Sequence, residues 1–505
     1  MVRIRKVHPD ILSLICYDLV DSNNWYTSHS TFVRVKVSLM SLKTADSQWS
    51  SVDQFLAENA ARFEEQLKAL IRIPSVSAQP AHNGDTRQAA EFVRDDLISS
   101  GIDARLVETA GHPIVVGRSP RIEGQPTVLV YGHYDVQPAE KSDGWDTEPF
   151  EPVIKNGNIY ARGATDDKGQ FFTHLKAAEA WMKAAGGLPV NVIYVIEGEE
   201  EVGGANLEKF FADHASELAC DYAVISDTSQ WAPGVPAVTY GLRGLCYLEI
   251  LVQGPKTDLH SGMFGGAVVN PLNALCHIIS SLHDESGKVA VEGFYDAVNP
   301  LADWERAEFT KLPFDESKFA EGLGVTALNG EAGYTTLERK SARPTCDVHG
   351  LWGGYAGPGP KTVLPAKAGA KLSFRLVPNQ LNKVVADLFR KHVAKVCPVG
   401  VTYEIIEHHG APGVVVQTDT PGMAAARRAV AVAFESEPVL VREGGSIPVV
   451  GLIKDQLKVD TLLLGWGQND DNLHGPNEKF SLADFHKGIR AGARFMAELA
   501  NSDCD

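Results

Sequence analysis

VLVYGHYDVQP (128–138), YARGATDDKGQ (160–170), VNVIYVIEGEEEVGG (190–204) and DYAVISD (221–227) decide the reading of this chain. Three are apolar, strand-like runs, and each ends on residue types that ligate metal ions: His133 and Asp135, Glu200 and Glu201, and Asp227. The remaining one sets Asp166 just ahead of a helix-like segment, Gly169 to Ala185. In an open α/β sheet, ligands gather beyond the carboxyl ends of the parallel strands. Strand ends that deliver imidazole and carboxylates to one edge supply what a buried metal centre needs. The pattern reads as a site for two ions.

Strand and helix signals alternate outward from these runs. Before them, Phe55, Leu56, Phe63, Leu67, Leu70 and Ile71 recur at helical spacing, with Pro74 just past the end. A second helix, Arg87 to Ser100, is expected to stop at Gly101. The alternation continues to about Tyr240 and predicts an α/β fold, a mostly parallel sheet covered by helices. At Gly244 the rhythm changes. LCYLEILVQG (245–254) reads as a strand, PLNALCHIISSLHD (271–284) as a helix, KLSFRLVP (371–378) as a strand, LNKVVADLFRKHVAKV (381–396) as a helix and VTYEIIEHH (401–409) as a strand. One more strand in the irregular, Gly- and Pro-rich stretch between them completes βαββαβ, a ferredoxin-like α+β unit. After Pro412 the first rhythm returns: helix Pro421–Phe434, strand PVLVRE (438–443), a helix from Ile447, strand TLLLGW (461–466) and helix Ala483–Ala500. The expected organisation is a larger domain in two parts, 40–244 and 411–505, around a smaller one inserted at 245–410.

Residues 1–39 are expected to be an extension outside the fold. Their basic start and short apolar run are interrupted by Asp10 and Asp18, and no small-residue cleavage site follows, which argues against a signal peptide. A net charge of −17, from 47 basic and 64 acidic residues, argues against a nucleic-acid partner. No run approaches the roughly 18 apolar residues of a membrane span. The seven cysteines are scattered without a CxxC pair, as expected of reduced thiols in the cytoplasm.

Zinc and manganese sites of the hydrolytic kind use neutral imidazole and carboxylates and keep a position open for water. His133 gains weight from Asp135, two residues on, which can hydrogen-bond the second ring nitrogen and fix the tautomer. Adjacent carboxylates at Glu200 and Glu201 permit a division of labour: one holds metal, and its neighbour takes a proton from water. Glu197 and Glu199 crowd the same turn.

YGHYDVQPAE (131–140), ARGATDDKGQ (161–170), EGEEEVGG (197–204), ISD (225–227), DLHSGMFGG (258–266), SFRLVPN (373–379), REGGSIP (442–448) and LHGPNEK (473–479) follow one another in order. Together they resemble the two-metal aminoacylase/dipeptidase superfamily of metallopeptidases, and within it most nearly the cytosolic non-specific dipeptidases and carnosinases. The likeness runs from about residue 53 to 500.

The resemblance implies two divalent ions per subunit, Zn²⁺ or Mn²⁺. It makes His133 and Asp227 ligands of one, Glu201 and His474 ligands of the other, and Asp166 the bridge. It implies that Asp135 orients His133, that Glu200 is the general base, and that the Asp166-Asp167 peptide is cis. His260 becomes the donor to the developing oxyanion, and Arg375 the clamp on the substrate's free carboxylate. Thr362, Ser446 and the glycines of REGGS line the pocket. The inserted domain becomes a lid that pairs with its copy in a homodimer, with His260 reaching the partner's site. The sequence departs from this pattern at Glu199, where relatives often carry a neutral residue, and at Gly204, where they often carry Ser.

The expected activity is metal-dependent hydrolysis of dipeptides, releasing the C-terminal amino acid. Two rivals stand beside it: a deacylase or desuccinylase of N-acyl amino acids using the same metals and Glu200, and an inactive metal- or peptide-binding protein. The second has no need of a base at Glu200.

Overall fold

Unbroken runs of Val, Ile, Leu and Tyr make Thr127–His133 and Asn191–Glu197 strands buried on both faces, as the middle of a parallel sheet requires. These two pair in parallel, and Thr127–His133 also pairs in parallel with Tyr222–Ile225, which in turn pairs with Thr461–Leu463. On one flank, Ile114–Arg118 and Asp103–Val107 add antiparallel strands. On the other, Ala237–Leu242 joins antiparallel, with Val439–Glu443 parallel and Val414–Val415 antiparallel beside it. The nine-stranded sheet is thus parallel through its centre, where the metal-type residues leave it, and antiparallel towards both flanks.

The computed structural model describes residues 48–502, so the extension expected over residues 1–39 lies outside the described residues. From Ser51 onward the chain forms one compact unit. Helices cover the sheet at the positions read from the sequence: Ala60–Ile71, Asn83–Ser100, Lys168–Ala184, Pro421–Phe434, Pro448–Leu457 and Leu482–Ala500. Gly101 ends its helix in the left-handed region, at φ 92°. Among the described residues no helix is long and apolar enough to cross a membrane.

The inserted segment forms a four-stranded antiparallel sheet in the order Thr345–Gly353, Lys367–Leu376, Gly244–Gln253, Thr402–Ala411. With helices Pro271–Ser280 and Asn382–Val396 the chain order is βαββαβ, and Thr345–Gly353 is the strand that the irregular stretch had to contain. Strict alternation along Gly244–Gln253 turns Cys246, Leu248, Ile250 and Val252 into a core beneath the helices. Leu245, Tyr247, Glu249 and Leu251 stay half-exposed on the open face. The stretch before Thr345 also holds helices Asp303–Lys311, Glu316–Leu323 and Thr336–Ser341. Leu301, Phe309, Leu312 and Leu337 pack there against Ala237 and Val441 of the large sheet.

The chain enters and leaves this segment along one ribbon. Leu242 pairs with Val414, and Leu245 with Ala411, on the two sides of the passage. The strands press close there: a Cβ on Gly244 would lie 2.4 Å from the Ala411 carbonyl oxygen and the Gly413 nitrogen, so only glycine fits.

Candidate metal centre

His133 ends its strand fully buried. Its Nδ1 faces the Asp135 carbonyl at 3.1 Å and the Asp135 carboxylate at 3.4 Å, so the nearer acceptor is the backbone oxygen rather than the side chain. The Asp135 carboxylate takes bonds instead from the Ser77 hydroxyl (2.6 Å) and the Glu201 amide (3.2 Å), which ties two strand-end loops together. His133 Nε2 is buried with no hydrogen-bond partner and lies 3.2 Å from Asp166 Oδ1. The other Asp166 oxygen is 3.0 Å from His474 Nε2, and that nitrogen is 3.3 Å from Glu201 Oε2.

Two groups of ligand types result, each with its atoms within 4.8 Å of one another: His133, Asp166 and Asp227, and Asp166, Glu201 and His474. They share Asp166. The Asp166-Asp167 peptide is cis. Asp167 belongs to neither group; its carboxylate accepts the His133 amide at 3.2 Å.

The four neighbouring acids separate by what holds them. Glu197 accepts a hydrogen bond from the Tyr131 hydroxyl, and Glu199 one from Asn206 (2.7 Å). Glu201 is fixed by Gln137 (2.7 Å) and His474. Glu200 borders a cavity of about 320 Å³ with Tyr131, Glu197, Gly204 and the end of the inserted sheet, Gly410 to Pro412. A larger cavity of about 850 Å³ lies elsewhere, between Arg306 and Arg339, and contains none of these residues.

The field at this edge is strongly negative. Burial, and after it the charges of Glu201, Asp166 and Asp135, push the Glu200 carboxyl up to about 7 against the pull of His133. Burial and the Asp166 charge push Asp227 and Asp167 well above the usual carboxylate range. Hydrogen bonds to Asp166 and Glu201 raise His474 to about 10. Among the described residues, the ion pairs made by Asp135, Asp166 and Glu201 are all with His133 or His474, none with Lys or Arg. A buried cluster of acids without a fixed cation is an electrostatic debt that bound divalent ions relieve. The donor set, the orphaned His133 nitrogen and the shared Asp166 all fit such ions.

The residues expected to hold substrate gather elsewhere. Arg375 Nη1 donates to the Ser446 hydroxyl at 3.1 Å, and that hydroxyl donates to the Arg243 carbonyl at 2.5 Å. Arg243, which sequence reasoning passed over in LRG, donates to the Gly444 carbonyl at 3.2 Å. Burial and then the charge of neighbouring Arg375 lower its pKa to about 10. His260 and Thr362 lie together on the inserted segment, where the strand Leu259–His260 pairs with Val363–Leu364. Both are exposed, and no described contact joins either to the two ligand groups. Sequence reasoning also missed Arg162 and Glu478, buried polar residues of loops that no periodicity marks.

A family model described as Peptidase family M20/M25/M40 matches residues 129–498. The Cys-Gly metallodipeptidase dug1 of Schizosaccharomyces pombe is 34% identical over 455 residues, which is 87% of this chain and 96% of the relative. The Beta-Ala-His dipeptidase of Rattus norvegicus is 32% identical over 88% of this chain and 94% of its own. Among solved structures, the di-peptidase Dug1p from Saccharomyces cerevisiae superposes with a TM-score of 0.78 at 32% identity, covering 90% of this chain and 99% of that one.

Proposed function

Because the chain belongs to peptidase family M20/M25/M40 and is a metallopeptidase, we propose that it hydrolyses dipeptides at a centre of two divalent ions, zinc or manganese. One observation carries this reading: two ligand groups that share Asp166, with Glu200 beside them. His133 and Asp227 would hold one ion, Glu201 and His474 the other, and Asp166 both. Ions bound there supply Lewis acidity, lowering the pKa of water towards 7 and polarising the carbonyl oxygen. Glu200 takes the proton of the attacking water and returns it to the leaving amine. Arg375 presents a planar fork to the C-terminal carboxylate, and the Ser446 hydroxyl steadies it. The relatives named for Cys-Gly and Beta-Ala-His dipeptides support a dipeptide as substrate. A panel of dipeptides and N-acetyl amino acids, assayed with and without Mn²⁺ or Zn²⁺, tests it. Turnover of dipeptides only with metal is expected; turnover of the N-acyl compounds alone would make the protein a deacylase.

His260 is exposed on the inserted segment, and its proposed role is to complete the oxyanion site of a partner subunit in a homodimer. The edge strand of that segment leaves Val348, Leu351 and Trp352 exposed, an apolar rim suited to a second copy. Mixing a Glu200→Gln chain with a His260→Ala chain under subunit exchange puts both lesions in one site and neither in the other. Up to about half of the mixed dimer's sites should recover activity. No recovery, or a strict monomer by light scattering, would overturn the arrangement. The five described cysteines are all unpaired, which supports a reducing, cytoplasmic setting.

A further inference from the structure

His474 is the most exposed residue of the two ligand groups, its side chain 57% accessible. It sits in a loop where Asn472, His474 and Asn477 all adopt left-handed backbone, at φ 56°, 60° and 58°. Such a loop needs an external hold to keep an imidazole on a fixed spot. That hold is Glu478, whose side chain is fully buried. One of its oxygens accepts the backbone amides of Thr165 (2.9 Å) and Asp166 (3.1 Å). The other accepts the Gly163 amide (3.1 Å) and Arg162 Nη1 (2.8 Å). The guanidinium closes the loop in return, Nη2 donating to the carbonyl of Gly475, the residue after His474, at 3.1 Å. The Trp145 ring lies against it at 5.3 Å. Thr165 adds a second tie, its hydroxyl within 3.0 Å of Asp471 and 2.6 Å of the Lys479 carbonyl.

We propose that Glu478 and Arg162 are positioning residues that staple the Asp166 loop to the His474 loop, so that both side chains meet one ion in a prearranged geometry. The proposal rests on the two-ion reading given above. Neither residue touches the ligand atoms. Their effect passes through the backbone on which Asp166 and His474 are mounted. Because Glu478 receives the amide of the shared Asp166 itself, its loss reaches both ions. Arg162 grips the carbonyl after His474 directly and reaches the Asp166 loop only through Glu478, so its loss falls most heavily on the Glu201–His474 ion. Residues that orient ligands are commonly worth about 10–100-fold in metal affinity.

The test uses full-length protein stripped by chelator and titrated with Zn²⁺ against a competing chelator, well below each variant's melting temperature. Co²⁺ uptake followed by visible absorption reports the ligand geometry. Wild type should take two ions. Glu478→Gln, which keeps the shape but puts an amide group among N–H donors, should bind both ions about 10–100-fold more weakly. Arg162→Met should weaken the Glu201–His474 ion by a similar factor and the other ion less, with the larger change in Co²⁺ absorption at the first. A purely structural role would lower the melting temperature of the metal-free protein and leave the affinities at wild-type values; that result overturns the staple. If Glu478→Gln does not fold, Arg162→Met decides by itself, and two unchanged affinities there reject the proposal. Failure of the wild type to bind two ions would instead refute the two-ion reading.

Discussion

Glu200→Gln should abolish most turnover while two ions per chain remain bound. The amide keeps the size of the carboxylate and removes its capacity to take a proton. General-base catalysis is typically worth about 10²–10⁴-fold, and the loss in kcat should fall in or beyond that range. The position supports the assignment. Glu197 is held by Tyr131, Glu199 by Asn206, and Glu201 by Gln137 and His474. Glu200 has its carboxyl pushed up by burial in the same field, and it borders a cavity of about 320 Å³. Elemental analysis and a single-substrate assay on the same preparation check both halves of the prediction. Near-wild-type turnover would remove Glu200 from the mechanism, and lost metal would make it a ligand.

Asp166→Ala should cost more metal than any other single substitution, because its two oxygens face the two groups separately, at 3.2 Å from His133 and 3.0 Å from His474. Asp227→Ala and Glu201→Ala each remove a group from one side only. Substitutions behind a ligand cost about 10–100-fold in affinity, so deletion of the shared ligand should exceed about 100-fold for both ions. The melting curve should move with it. A ligand at 100 times its Kd stabilises the native state by about 2.7 kcal/mol, and Asp166→Ala should no longer gain from added metal. Dialysis followed by elemental analysis, with melts in chelator and in excess metal, measures this. A variant that retains both ions would show that Asp166 does not bridge.

The two groups of ligand-type residues were legible because most of them stand at the ends of buried strands. Val128–Tyr131, Val192–Ile196 and Tyr222–Ile225 are apolar without interruption, so His133, Glu201 and Asp227 mark where the chain leaves the core. Helix limits were legible for similar reasons, as at Gly101 and Pro421. Strand direction was not. Nothing local in Asp103–Val107 or Ile114–Arg118 tells that they turn antiparallel on the flank, because pairing is a non-local choice. Thr345–Gly353 was expected only by counting, since its exposed edge position removes the alternation that betrays a strand. The roles of Arg162 and Glu478 were invisible. A charged residue in a Gly- and Pro-rich loop reads as solvated, and only the fold shows it buried among backbone amides. His260 and Thr362 rest on family likeness; the fold adds that Leu259–His260 pairs with Val363–Leu364, the strand next to Thr362.

The ribbon at Leu242 and Val414 gives the molecule a modular grammar. The two residues that bracket the inserted segment are cross-strand partners, which in an antiparallel pair stand about 5 Å apart. A gap of that width is the one a two-residue hairpin turn spans. The whole excursion from Arg243 to Gly413 is therefore, in topological terms, an elaborated hairpin loop. A two-residue turn in its place keeps Leu242 paired with Val414, and it uncovers Ala237 and Val441, which Leu301, Phe309, Leu312 and Leu337 of the excursion now cover.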